Sequence, residues 1–145
     1  MTIHALNLDK RLVQAISELG FTEFSEIQQK AIPILLERAS DFIGLAQTGT
    51  GKTASFGLPL IQAIDVTVRG TQALVLCPTR ELCVQIATEL NRYGKHIQGL
   101  RIVAVYGGAD IRNQIRELKQ GAHIVVGTPG RLQDHINRET INLSN

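Results

Sequence analysis

Ala46-Gln47-Thr48-Gly49-Thr50-Gly51-Lys52-Thr53 follows directly on the apolar run Phe42 to Ala46 and opens onto a helical pattern. The chemistry of phosphate binding asks for this order. Glycines let the backbone turn tightly enough for successive N–H groups to point inward, and a helix N-terminus adds partial positive charge. Lys52 would then reach the β/γ-phosphates of a nucleotide, and the Thr53 hydroxyl would ligate Mg²⁺. The strict pattern begins with Gly, whereas this chain has Ala46, which is still small enough for close approach. An ordinary Gly-rich turn is the competing reading, but Gly-Lys-Thr at this spacing between a strand and a helix argues against it.

Working outward, Leu8, Leu12, Val13, Ile16 and Leu19 recur at helical spacing, with Gly20 where a helix stops. A second helix is predicted from Ser25, a candidate N-cap, through Ile27, Ala31, Ile34 and Leu35, with Pro33 kinking it. Beyond it, short apolar runs alternate with helical patterns. Phe42 to Ala46, Ala73 to Cys77, Ile102 to Tyr106 and His123 to Val126 read as strands buried on both faces. Between them, Leu82, Ile86, Leu90 and Tyr93, and then Ile111, Ile115 and Leu118, mark helices. This rhythm predicts an α/β fold with a parallel sheet and helices on both faces. Ligands of such sheets bind beyond the carboxyl ends of the strands. Those ends run into Gln47 to Gly51, Pro78-Thr79-Arg80, Gly107-Gly108 and Gly127-Thr128-Pro129-Gly130, and Thr79 is placed to cap the helix after it.

Composition narrows the class. The 145 residues are 43% apolar and 19% charged, which suits a globular core and not a disordered tail. No apolar run approaches the ~20 residues that span a bilayer, and the N-terminus lacks a secretory pattern, so no membrane role and a cytoplasmic location are expected. Cys77 and Cys83 are too few for a disulfide framework and read as small buried thiols, and no cluster has zinc-ligand spacing. Residues 1–68 carry five Lys/Arg against seven Asp/Glu, whereas residues 69–145 carry ten against six. The basic second half fits a polyanionic partner as well as it fits an ordinary solvated surface. Nucleotide hydrolysis by such a loop also needs an Asp at the end of another strand. None of the later runs ends in one: Asp41 precedes the first strand, and Asp65, Glu81, Asp110 and Asp134 fall in helices or at their margins.

Together these stretches resemble the first RecA-like domain of the DEAD-box RNA helicases. Gly20-Phe21 with Ile27-Gln28 and Ala31-Ile32-Pro33 looks like that family's Q motif, and Ala46 to Thr53 like its phosphate loop, where Ala is the usual first residue. Pro78-Thr79-Arg80-Glu81-Leu82 with Gln85, then Gly107-Gly108, then Thr128-Pro129-Gly130-Arg131 are similar to its three RNA-facing motifs, in order. The chain departs from the family at Ile3, where an upstream aromatic is usual, at Phe24 for Pro, and at Cys83 for Ala. Thr140-Ile141-Asn142-Leu143-Ser144-Asn145 is similar to the stretch that leads, in the family, into a strand bearing Asp-Glu-Ala-Asp. The resemblance therefore implies about two-thirds of a domain, truncated at the C-terminal side, with unpaired sheet edges. The Ser-Ala-Thr motif and a second RecA-like domain would belong to the intact parent.

The resemblance also assigns roles. Residues 1–29 become a Q-motif region and 30–145 a partial RecA-like ATP-binding domain. Phe21, Gln28 and residues Ala46, Gln47, Thr48, Gly49, Thr50, Gly51, Lys52 and Thr53 are expected to bind ATP, with Lys52 and Thr53 nearest the chemistry and Thr53 holding Mg²⁺. A Gln amide can both donate to and accept from the N7/N6 edge of adenine, where guanine offers two acceptors; a helix-capping Gln28 is the alternative. Phe21 either stacks on the base or plugs the core, and Ser25 braces the loop as well as capping its helix. Pro78, Thr79, Arg80, Gly107, Gly108, Thr128, Pro129, Gly130 and Arg131 would meet RNA phosphates through helix N-termini and Arg side chains, without reading sequence. Glu81, which repels phosphate, is expected to hold neighbouring motifs together. The function implied is that of an ATP-dependent RNA helicase, with this chain alone inactive; the alternative is a non-catalytic ATP- or RNA-binding module. No Asn-Lys-x-Asp segment supports a GTPase, and three further loops speak against a small-molecule kinase.

Overall fold

Asp9 begins the first helix of the structure, a computed structural model in which residues 1–37 and 41–144 are described. Its carboxylate accepts the Arg11 N–H at 2.8 Å, capping α1 (Lys10–Glu18), whose buried face is Leu12, Ala15 and Ile16. Helix α2 (Glu26–Glu37) continues through Pro33, and α3 (Lys52–Gln62) begins where the phosphate loop ends. Gln62 closes the group, accepting the Asp9 N–H at 2.7 Å and donating to the Asn7 carbonyl at 3.0 Å. Leu12, Ile16, Ile32 and Leu58 are wholly buried, each stabilising the fold by about 1.5–3 kcal/mol. Ile3 is a core residue at 3% exposure, pinned by a Thr2–Glu23 bridge.

The remaining strands form a parallel sheet in the order β1-β3-β2: β1 (Ala73–Leu76), β2 (Ile102–Val105) and β3 (Ile124–Gly127). Leu76 and Val105 both pair with Gly127, so the three strands end level with one another. Helix α4 (Arg80–Tyr93) follows β1, α5 (Ile111–Lys119) follows β2 and α6 (Pro129–Asn137) follows β3. Val103, Val105, Val125, Leu118, Leu132 and Ile141 make one core of this sheet and its helices. The α/β class and the parallel sheet are as the sequence predicts.

The chain divides into two compact units, residues 1–63 with 92–97, and residues 64–91 with 98–145. The phosphate loop lies in the first and the sheet in the second. The boundary expected at residue 30 falls inside α2. Residues 38–40, and Asn145 at the end of the stretch likened to the segment before Asp-Glu-Ala-Asp, lie outside the described residues.

Two strand expectations are corrected. Phe42 to Ala46 is not a strand and is not buried: Ile43 and Leu45 are each 89% exposed. An extended run becomes a strand only when neighbours take up its N–H and C=O groups, and among the described residues none pairs with it. Burial on both faces holds for β3 alone. On β1, Leu74 and Leu76 are 37% and 60% exposed, leaving one face of this strand open; separately, β1 and β2 each pair only with β3 among the described residues, so their outer sides are the unpaired edges expected from the resemblance.

The two thiols are buried as expected, at 2% and 0% exposure. Cys83 Sγ donates to the Val126 carbonyl at 3.1 Å, and burial pushes its pKa up to about 11. The thiolate is the reactive form, so iodoacetamide at pH 8 is expected to leave both cysteines intact in the folded chain and to modify both after denaturation, as read by mass spectrometry. Because the folded pKa lies above the ordinary value of 9.0, the thiol's contribution to stability is intact below pH 9 and is lost as pH rises through 11.

Candidate functional site

The first unit holds the phosphate loop, and its conformation follows from the glycines. Gly49 and Gly51 have φ of +79° and +87°, the left-handed region that side chains disfavour. The chain thereby doubles back so that the Thr50 hydroxyl donates to the Gln47 carbonyl at 2.6 Å. Lys52 reaches back across the loop to the Ala46 carbonyl at 2.8 Å. Among the described residues, no acceptor takes up the N–H groups of Thr48, Gly49, Thr50 or Gly51. Unused amides, an ammonium group and the N-terminus of α3 thus lie within one short turn, the chemical makings of an anion site. A phosphate there would displace a neutral carbonyl from Lys52 and put an ion pair in the place of a charge–dipole contact. Thr53 stands one residue into α3, half-buried.

The loop is tied to the start of α2. Gln28 is 4% exposed; its Oε1 accepts the Ser25 N–H at 2.9 Å and its Nε2 donates to the Gly51 carbonyl at 3.1 Å. The Ser25 hydroxyl donates to the Thr50 carbonyl at 2.7 Å. Ser25 therefore braces the loop as expected, but its hydroxyl does not cap the helix. That task is reversed, with Gln28 receiving the Ser25 N–H, one half of a capping box. The Gln28 amide retains one N–H and one lone pair beyond these two bonds. Phe21 is half-buried and meets Tyr93 edge to face at 6.2 Å between centroids.

The second unit presents its turns in a row, because the strands end level. The Thr79 hydroxyl accepts the Leu82 N–H at 3.2 Å, the cap predicted for α4. Arg80, the first residue of that helix, lies over the Tyr106 ring at 5.1 Å. At Gly108, with φ +81°, a Cβ would stand 3.1 Å from Arg80 Nη1, whereas one at Gly107 or Gly130 would meet nothing of the protein within 4 Å. The space outside these two turns is open. Thr128 precedes α6 with Pro129 at its first turn. Arg131 donates through Nη1 to the Ala109 carbonyl at 3.0 Å and to Gln114 Oε1 at 3.1 Å. Its Nε and Nη2 have no partner among the described residues. Glu81, expected to hold neighbouring motifs together, is exposed, and its side chain makes no hydrogen bond or ion pair among the described residues.

Sequence reasoning passed over Gln114 and His135, buried at 5% and 0%. A signal was present: Gln114 stands in the apolar stripe Ile111, Ile115, Leu118 of α5, and His135 three residues after the buried Leu132 of α6. A polar residue at such a position is either an error of patterning or the centre of a network.

Comparison with known proteins gives a consistent picture. The family model for the DEAD/DEAH box helicase matches residues 25–145. The ATP-dependent RNA helicase CshA of Listeria monocytogenes is 54% identical over 138 residues, 94% of this chain and 26% of that protein. A DEAD box protein from the hyperthermophile Methanococcus jannaschii superposes with a TM-score of 0.93 at 46% identity, over 100% of this chain and 39% of that one. Dbp5 of S. cerevisiae, solved bound to RNA and ADP BeF3, does so with a TM-score of 0.87 at 30% identity, over 98% and 35%. The chain spans about a quarter of the length of the curated relatives it matches. Among the described residues no helix is long and apolar enough to cross a membrane.

Proposed function

The chain belongs to the DEAD/DEAH box helicase family, and from that premise we propose that its first unit grips ATP and its second the phosphate backbone of RNA. Both would act within a cytoplasmic RNA-dependent ATPase that locally unwinds duplexes together with a second RecA-like domain. Residues 1–29 serve in this reading as the Q-motif region and 30–145 as the ATP-binding part. The observation that carries it is the phosphate loop, where N–H groups without an acceptor among the described residues and the Lys52 ammonium lie in one tight turn at the start of α3.

Thr53, the second residue of α3, would be the protein ligand for Mg²⁺ carried by a nucleotide. Bound Mg²⁺ neutralises charge that develops on the phosphate oxygens. Lys52 orients the β/γ-phosphates, the loop amides hold their oxygens, and Gln28 reads the adenine edge with the donor and acceptor left to its amide. Arg80, Gly107-Gly108 and the Thr128 to Arg131 turn bear on RNA phosphates, with Pro78 and Thr79 setting the entry to α4.

A second reading, a module that binds ATP or RNA without turnover, is favoured by one observation. The strands run into Cys77-Pro78, Tyr106-Gly107 and Thr128-Pro129, none of which offers the carboxylate that would activate water.

Titration calorimetry of the chain with Mg-ATP and Mg-GTP tests the nucleotide site. ATP is expected to bind roughly 5- to 150-fold more tightly, and Gln28→Ala to erase the preference; equal affinities would remove the role assigned to Gln28. RNA binding is expected to be indifferent to base sequence and to weaken steeply with salt. A strong sequence preference with a flat salt response would overturn the backbone-binding reading.

A further inference from the structure

Gln114 lies beneath two of the turns of the second unit and touches both. Its Nε2 donates to the Tyr106 carbonyl at 3.0 Å, immediately before Gly107-Gly108. Its Oε1 accepts from Arg131 Nη1 at 3.1 Å and stands 3.0 Å from His135 Nε2. The orientation of this amide is forced. Turned over, its NH₂ would face a guanidinium donor and its oxygen a carbonyl oxygen, two repulsive pairs where little water screens them. Oε1 is therefore an acceptor, and His135 must carry a proton on Nε2.

His135 is fully buried, and burial together with the Arg131 guanidinium holds its pKa below the ordinary value. The neutral ring then presents Nδ1 as an acceptor to the Thr140 hydroxyl, 2.7 Å away, whose single proton it shares with the His135 carbonyl at 3.1 Å. Each member of the group is satisfied, and no buried side-chain polar atom among the described residues lacks a partner.

We infer that Gln114 is a positioning residue that fixes the Arg131 guanidinium and the Gly107-Gly108 turn in a single arrangement, so that both meet an RNA backbone already in place. The inference rests on the RNA reading of these turns. An arginine free to move loses rotamer entropy when it binds a phosphate. Anchoring Nη1 on Gln114 and on the Ala109 carbonyl removes that loss from the binding step and leaves Nε and Nη2 to the ligand. Only a side chain that donates once and accepts twice at this length can make the three contacts. Glutamate lacks the donor for Tyr106, and methionine lacks both functions.

The test uses the ¹⁵N-labelled chain, fluorescently labelled oligouridylate RNA, and the variants Gln114→Met and Gln114→Glu. In the unsubstituted chain, ring ¹⁵N spectra should report the Nε2–H tautomer of His135. In Gln114→Met, the amide resonances of Gly108 and Arg131 should shift while those of Gly49 and Gly51 stay. RNA affinity should fall about 5- to 10-fold, the salt slope should lose nearly one unit, and ATP affinity should not change. Gln114→Glu keeps the acceptor for Arg131, so RNA affinity should stay within about 3-fold of the original while the Gly107-Gly108 resonances move. Its carboxylate should also raise the pKa of His135, whose charged neighbours are Arg131, Asp134 and Arg138.

A Gln114→Met chain with unaltered affinity and salt slope, or with shifts confined to α5, overturns the proposal. If methionine prevents folding, the glutamate variant decides, and unmoved glycine resonances in it are equally fatal. Should the unsubstituted chain bind no RNA, it is the RNA reading of the turns that fails. Resonance shifts reaching both turns would then still support the positioning role, and their absence would overturn it.

Discussion

Gly51→Ala is expected to abolish ATP binding and to destabilise the chain by about 3–4 kcal/mol. Two causes add. At φ +87° a side chain in the left-handed region costs roughly 1–2 kcal/mol. A Cβ at this position would also lie 2.3 Å from Gln28 Nε2 and 3.4 Å from Ser25 Oγ. Gln28 must withdraw, giving up its bonds to Ser25 and Gly51, at about 1 kcal/mol each. Gly49→Ala is the control, with a φ of +79° and nothing within 4 Å of the added Cβ. Backbone strain alone, about 1–2 kcal/mol, is expected there. Urea unfolding of both variants with calorimetry of Mg-ATP measures the contrast. Equal destabilisation by the two substitutions would show that Gln28 does not bear on Gly51.

Lys52→Ala separates binding from stability. The ammonium group is exposed and makes one bond, to the Ala46 carbonyl, so removing it should change stability by less than about 1 kcal/mol. Against phosphate the same group makes a charge-assisted bond worth about 1.5–3 kcal/mol, so ATP affinity should fall roughly 10- to 150-fold. The chain itself is expected to bind ATP without RNA-stimulated hydrolysis, since none of the three described strands runs into a carboxylate. Steady turnover that disappears in Lys52→Ala would contradict the binding-only reading and locate a water-activating group elsewhere in the chain.

What could be read in advance depended on whether the deciding contacts were local. The helices were legible because their signals lie within a few residues: Thr79 as a cap, and Ile111, Ile115 and Leu118 as a stripe. The phosphate loop was legible because Gly-Lys-Thr carries its own backbone geometry. Phe42 to Ala46 misled because a strand is a property of a pair, and five apolar residues cannot announce that no partner adjoins them. Ser25 was half right, since a hydroxyl able to cap its own helix is equally able to reach the Thr50 carbonyl twenty-five residues away. Gln114 and His135 escaped notice because their meaning lies in each other. Neither forms a motif, and the network joins residues separated by 21 positions.

The level ending of the three strands has a consequence for how RNA would be measured out along this surface. Adjacent strands in a sheet stand roughly 4.8 Å apart, so the turns after β1 and β2 are set about 10 Å apart with the turn after β3 between them. That pitch is a property of the main-chain ladder. Replacing Arg80 or Arg131 would alter how firmly a phosphate is held at one station, but the distance between stations would remain, because no side chain sets it. The surface is a ruler graduated by hydrogen bonding, and only a change of strand register could rewrite its scale.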